Sequence, residues 1–171
     1  MDELQRAAPG SISAAQRFPI FIILDDVRSM NNVGSIFRTA DAFNAAGIYL
    51  CGYTPRPPHR DIQKTALGAT ETVPWQYVPT VAEAIQHLKI QGYRIWALEQ
   101  VHHSSTLGKT DFKQGEKIAL VFGNEVAGVS NEALALCDGC LEIPQWGSKH
   151  SLNISVTVGV ALWELVRSLN G

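Results

Sequence analysis

Phe18-Pro19-Ile20-Phe21-Ile22-Ile23-Leu24-Asp25-Asp26-Val27-Arg28-Ser29-Met30-Asn31-Asn32-Val33-Gly34-Ser35-Ile36-Phe37-Arg38 passes from a strand through a turn into a helix. Residues 18–24 form a continuous apolar run, the pattern of a strand buried on both faces. Asp25 and Asp26 end it, and residues 28–32 read as a polar turn. Val33, Ile36, Phe37, Ala40 and Phe43 then recur at helical spacing, with Asn31 or Asn32 placed to cap the helix. The same alternation continues outward. Gly47 is expected to lead into a strand over 48–51, and 53–60 is a Pro-rich basic loop. Residues 62–69 read as one short helix ended by Gly68, with a short strand within 72–78. Val81, Ala84, Ile85 and Leu88 make a helix face closed by Gly92. Strands follow at 94–98, 117–122 and 140–143, with a helix capped by Ser130 running to residue 136. The last helix carries Val156, Val160, Trp163, Val166 and Leu169 on one face. Strands alternating with helices predict an α/β domain with a mainly parallel sheet flanked by helices. The domain is expected over 18–171, preceded by an N-terminal arm over 1–17.

The composition fits that reading. The 171 residues suit one domain with a substantial core. Apolar residues make up 46% and charged residues 18%, ordinary for a globular protein. No apolar run reaches the length of a membrane span, and residues 1–17 lack the apolar stretch of a signal peptide, so a cytoplasmic setting is expected. The net charge of −2 argues against binding nucleic acid by bulk charge but allows a local basic patch. Three cysteines argue against a disulfide framework. Cys137 and Cys140 form a lone C-x-x-C without the second ligand pair of a zinc site, so no metal is expected. They read as two small residues at a helix-to-strand turn, with a redox role as the alternative.

Several chemistries lack their signatures. There is no Gly-x-Gly-x-x-Gly, no phosphate loop with Walker spacing, no His-Glu-x-x-His and no Gly-x-Ser-x-Gly. Three polar loops remain, over 25–34, 123–128 and 145–153, each after a predicted strand and rich in Gly, Asn and Ser. Ligands of open parallel sheets sit beyond the carboxyl ends of strands. The residues alone therefore imply an α/β enzyme or nucleotide binder.

Taken in order, the loops resemble the three motifs of the SpoU (TrmH-type) branch of the SPOUT methyltransferases. The first is Asn32-x-Gly34-x-x-x-Arg38 followed by Thr39-Ala40-Asp41. The second is Leu120-Val121-Phe122-Gly123-Asn124-Glu125-x-x-Gly128. The third is Ile143-Pro144-x-x-Gly147-x-x-x-Ser151-Leu152-Asn153-Ile154-Ser155. Residues 64–69 also resemble the stretch between the first two, and the similarity runs from about Phe18 to Trp163. The resemblance implies a C-terminal knot, which packing rules alone would not propose. It also implies a homodimer, S-adenosylmethionine as cofactor, and methylation of a ribose 2′-hydroxyl in structured RNA. Transfer RNA is the first expectation and ribosomal RNA the second. A non-catalytic RNA-binding or ribosome-assembly module that kept the fold is the alternative. The positions matching the donor site are Leu98, Gly123, Ile143, Leu152 and Ser151.

A ribose hydroxyl is a weak nucleophile, so it must be aligned and its proton polarised or removed. The resemblance makes Arg38 the reactive residue. Its high pKa suits orientation of the hydroxyl and adjoining phosphate better than proton removal. Asn32 either orients Arg38, binds substrate or caps its helix. Glu125 either holds Arg38, accepts from a ribose or base, or faces solvent. Ser151 and Asn153 stand where the last helix starts, as ligand contacts or caps. Arg56, His59, Arg60 and Lys64 form a basic strip suited to RNA phosphates or to plain solvation. Trp146 is a candidate for stacking on a base or for packing.

Overall fold

The structure, a computed structural model, describes residues 17–148 and 151–170. The expected N-terminal arm lies outside those residues, except for Arg17. The elements run β1 (Phe18–Asp25), α1 (Met30–Ala42), β2 (Ala45–Cys51), α2 (Arg60–Ala66), α3 (Ala69–Thr72), β3 (Trp75–Val78), α4 (Val81–Ile90), β4 (Arg94–Leu98), β5 (Ser105–Thr106), β6 (Ile118–Phe122), α5 (Asn131–Leu136), β7 (Gly139–Glu142) and α6 (Ile154–Asn170).

Seven strands form one sheet in the order β3-β2-β1-β6-β4-β7-β5, and neighbouring strands pair in parallel. Both faces are covered, which explains the unbroken apolar run of β1. Ile20, Ile22 and Leu24 pack with α1, α2 and α6 on one side. Ile23 packs with α4 and α5 on the other. Side chains that alternate between two dry faces leave no polar periodicity. The order reverses beside β1: β2 and β3 lie on one side, β6, β4 and β7 on the other. The carboxyl ends of β1, β6, β4 and β7 therefore stand together, where an open α/β sheet forms its ligand crevice.

Several local expectations are corrected. Ser29, not Asn31 or Asn32, caps α1: its side chain accepts from the Asn32 amide. The two asparagines sit inside the first turn. Gly47 lies within β2, since Ala45 already pairs with Phe18. The single helix expected over 62–69 is two, separated by Leu67 and Gly68 with positive φ of 50° and 89°. The two-residue strand β5 was invisible to the sequence pattern because it is too short to show a period.

The stripe named for α6 meets the core only towards its end, at Leu169 and partly at Val166, and the helix turns another face inward. Its buried face is Val158, Ala161, Leu162, Leu165 and Leu169, while Val156, Val160 and Trp163 are exposed. Both stripes have helical spacing, so periodicity could not choose between them. α6 follows β7 yet packs on α1, a placement compatible with the knot that the resemblance implies. Among the described residues no helix is long and apolar enough to cross a membrane.

Candidate functional site

A cleft of 680 Å³ opens at the carboxyl ends of β4, β6 and β7, within the size range of small-molecule sites. All five positions proposed for the donor, Leu98, Gly123, Ile143, Ser151 and Leu152, line it. So do Asn124, Glu125 and Asn153. Three chain segments far apart in sequence thus supply one wall each.

The loops are bound to one another by side chains. Asn124 Nδ2 donates to the Asp26 carbonyl at 2.8 Å, and its Oδ1 accepts from the amides of Val126 and Ala127 at 2.9 and 3.0 Å. One amide therefore folds its own loop and fastens it to the turn after β1. Asp25, buried at the end of β1, accepts from the Ser130 amide at 2.9 Å. Glu99 accepts from the Val129 amide at 3.0 Å, linking β4 to the same loop. Gly128 has φ +73°, a conformation that side chains disfavour. A β-carbon there would also run into the Glu99 carboxylate.

Glu125 is the hub of the first motif. Its carboxylate accepts from the amides of Arg28 and Ser29 at 3.1 and 3.0 Å and from Asn32 Nδ2 at 3.4 Å. Asn32 Oδ1 in turn accepts from Asn153 Nδ2 at 3.3 Å. Asn153 Oδ1 accepts from the Ser155 amide at 2.9 Å and so caps α6 as well. Of the two roles weighed for Asn153, the cap is the one its bonds show, and the side chain also lines the cleft. Partial burial pushes the Glu125 carboxyl up, but the amides of Arg28 and Ser29, its own amide and the Asn32 side chain outweigh that. The group is held below the usual carboxylate range.

Glu125 does not hold Arg38. Asn32 and Arg38 are six residues apart on α1, which places them about 9 Å apart along the axis and about 120° apart around it. Arg38 is exposed and lies in a separate depression with Ser35, Thr39, Ala42, Phe43, Lys64 and Thr65. Among the described residues it makes no hydrogen bond or ion pair of its own. Lys64, expected to meet RNA, shares that depression. Arg56 lies 4.1 Å from the Tyr77 ring centroid, stacked as a cation on its face. Arg60 is exposed at the start of α2, and His59 caps that helix through Nδ1. Trp146 is 92% exposed, so it packs into no core of this chain.

Cys137 caps the end of α5, in the turn expected for it, whereas Cys140 lies within β7, paired with Ala97 of β4. Burial first, then neighbouring Cys140 and Asp138, pushes the Cys137 thiol up to about 12. A thiol that stays protonated at neutral pH is a poor nucleophile. Asn124, Asp25 and Glu99 were not singled out from sequence. Asn124 lay inside a quoted motif, but nothing local told which backbone its amide would reach.

The sequence model of the SpoU rRNA Methylase family matches residues 19–163. The chain belongs to this family. It is 34% identical over 161 residues to the 23S rRNA (guanosine-2′-O-)-methyltransferase RlmB of Vibrio vulnificus, covering 91% of this chain and 62% of that protein. The chain thus spans about two thirds of the length of such curated relatives. Among solved structures it resembles the SpoU methyltransferase AviRb from Streptomyces viridochromogenes in complex with the cofactor AdoMet. That match has a TM-score of 0.78 and 28% identity, covering 86% of this chain and 59% of AviRb. A structure described for 2-OH methylation of C/U34 on tRNA matches with a TM-score of 0.77 and 27% identity, over 90% of this chain and 99% of that one.

The cleft fits the donor seen with that SpoU relative. Leu98, Ile143 and Leu152 line the cleft with apolar side chains, and Gly123 leaves room for the Gly128–Val129 backbone, which a β-carbon would strike. The carboxylates of Glu99 and Glu125 suit a ligand that is cationic at its sulfonium and amine.

Proposed function

We propose that this chain is an S-adenosylmethionine-dependent RNA ribose 2′-O-methyltransferase that works as a homodimer in the cytoplasm. The observation that carries the reading is the bonded chain Glu125–Asn32–Asn153 on the rim of a cleft lined by all five donor positions. A module that had only kept the fold would have no need to hold these polar groups together at a ligand cleft. When bound, the donor supplies a methyl group activated on a cationic sulfur.

The chain's own residues supply position. Glu125 is engaged by two amides and Asn32, so it braces the site and is a weak base. Asn32 and Asn153 tie the first motif to the start of α6 and present amide groups at the rim. Arg38 stands outside this cleft, beside Lys64. We assign it to the substrate ribose and phosphate, brought to the donor cleft of a second copy. The exposed Val156, Val160 and Trp163 of α6, with Trp163 edge-on to Phe43 of α1, form the apolar face for that copy. The Arg38 depression includes Phe43 and Ala42, so it borders the same face.

The curated relatives move the expected substrate from transfer RNA to ribosomal RNA. Transfer RNA stands as the second reading, favoured by the tRNA-related structure that this chain matches over nearly that chain's whole length. The test uses calorimetry with S-adenosylmethionine and transfer of labelled methyl to ribosomal and transfer RNA. The wild type is expected to bind the donor and to label RNA. Arg38→Ala should lose transfer by about 100-fold or more while donor affinity stays within about twofold. A folded wild type that binds no donor sinks the reading. Donor and RNA binding without transfer would favour the non-catalytic module.

A further inference from the structure

Tyr53 is 79% exposed, yet its backbone is tied to the turn after β1. Its amide donates to Asp26 Oδ1 at 2.8 Å. The next residue, Thr54, is buried: its hydroxyl donates to the Leu24 carbonyl and accepts from the Val27 amide, both at 3.1 Å. Gly52 (φ +60°) leaves room where a β-carbon would meet the Asp26 carboxylate. Asp26 itself holds φ +54°, a costly conformation for a residue with a side chain. The turn after β2 is thus bolted to the turn after β1, and an aromatic ring is left standing in water.

The Arg28 guanidinium lies over that ring, 5.6 Å from its centroid. The Arg28 amide is one of the two that clamp Glu125, which also binds Asn32. A stacked cation and ring therefore flank the catalytic rim at a position set by hydrogen bonds. The residues that follow, Arg56, Arg60 and Lys64, add positive charge to the same loop and helix in a chain of net charge −2. A solvent-facing aromatic beside cations suits an unpaired nucleobase, because every base offers a face to stack on and its phosphate meets the cation.

Building on the proposed RNA methyltransferase activity, we infer that Tyr53, backed by Arg28, is the platform on which an unpaired base next to the modified nucleotide stacks. To reach a cleft, the target ribose must leave a regular helix, and its neighbours lose stacking as it does. Tyr53 replaces that contact and so positions the strand. It touches no reacting atom; it is a positioning residue.

The experiment measures fluorescence anisotropy of a labelled ten-nucleotide oligoadenylate and of a chain of equal length made of abasic riboses. Wild type is expected to prefer the oligoadenylate by about tenfold. Tyr53→Ala should erase that preference by weakening the oligoadenylate alone, and Tyr53→Phe should restore it. Unchanged donor binding by calorimetry in each variant reports an intact fold. The platform is overturned if wild type does not distinguish the two chains. It also falls if Tyr53→Ala binds oligoadenylate like wild type, as a protein-docking role would predict, or weakens both chains equally. Methyl transfer to ribosomal RNA by the wild type is followed in parallel. Transfer without a Tyr53 effect sinks the platform only, whereas absence of transfer sinks the activity it rests on.

Discussion

Glu125 shows how one exposed side chain can hold a site together. Its carboxylate gathers two amides from the turn before α1 and the side chain of Asn32, and these donors keep its pKa below the usual range. A carboxyl with a depressed folded pKa stabilises the fold above its ordinary value near 4.3 and loses that contribution as pH falls through the folded value. Wild type should therefore melt above Glu125→Gln by a constant margin from about pH 5 to 8. The margin should shrink below about pH 4 and vanish in stronger acid. Thermal melts across that range check it, and a margin that grows on acidification would refute the brace. Little of this was legible in sequence. The motif marked Glu125 as important, but its partners lie more than 90 positions away.

Among the elements, α1 matters most because it carries both Asn32 and Arg38. Its start was misplaced by two to three residues because Ser29, Asn31 and Asn32 are all good caps by type. Which one caps depends on where the turn ends, and Glu125 helps to fix that by holding the Ser29 amide. Gly34 serves a different need. A β-carbon at that position would overlap Thr65 Oγ1 and the Ile62 carbonyl, so α1 and α2 touch nearly backbone to backbone. Thr65 also donates to the Asn31 carbonyl at 2.9 Å across the same contact. Gly34→Ala should cost about 1–3 kcal/mol, read as a lower denaturant midpoint. It should weaken RNA methylation more than donor binding, since α2 carries Lys64 beside Arg38 and the donor cleft lies elsewhere. Equal stability would mean that α2 shifts freely and that the close approach is not needed.

For the whole molecule, the parallel order puts β1, β6, β4 and β7 side by side, and this turns three separated loops into one cleft. Arg38 remains outside it, and among the described residues an apolar stripe on α6 lies uncovered. The second copy proposed above, if seated on that stripe, would account for both. Trp163 is 61% exposed, and a carboxylate in its place would be buried unpaired in a dimer, a large penalty. Trp163→Glu should halve the solution mass measured by scattering and abolish transfer while the monomer keeps its fold. A wild type that is monomeric and active would overturn the assembly.

The sequence by itself determined the alternation of elements, the parallel sheet, the family and the residue types at the cleft. Those follow from apolar periodicity and from motifs that are local along the chain. Only the tertiary structure decided which stripe of α6 is buried, which residue caps α1, what Glu125 binds and that Tyr53 stands exposed on a fixed turn. Each of these depends on partners distant in sequence, and no local pattern records which backbone amide or helix face will be brought within reach.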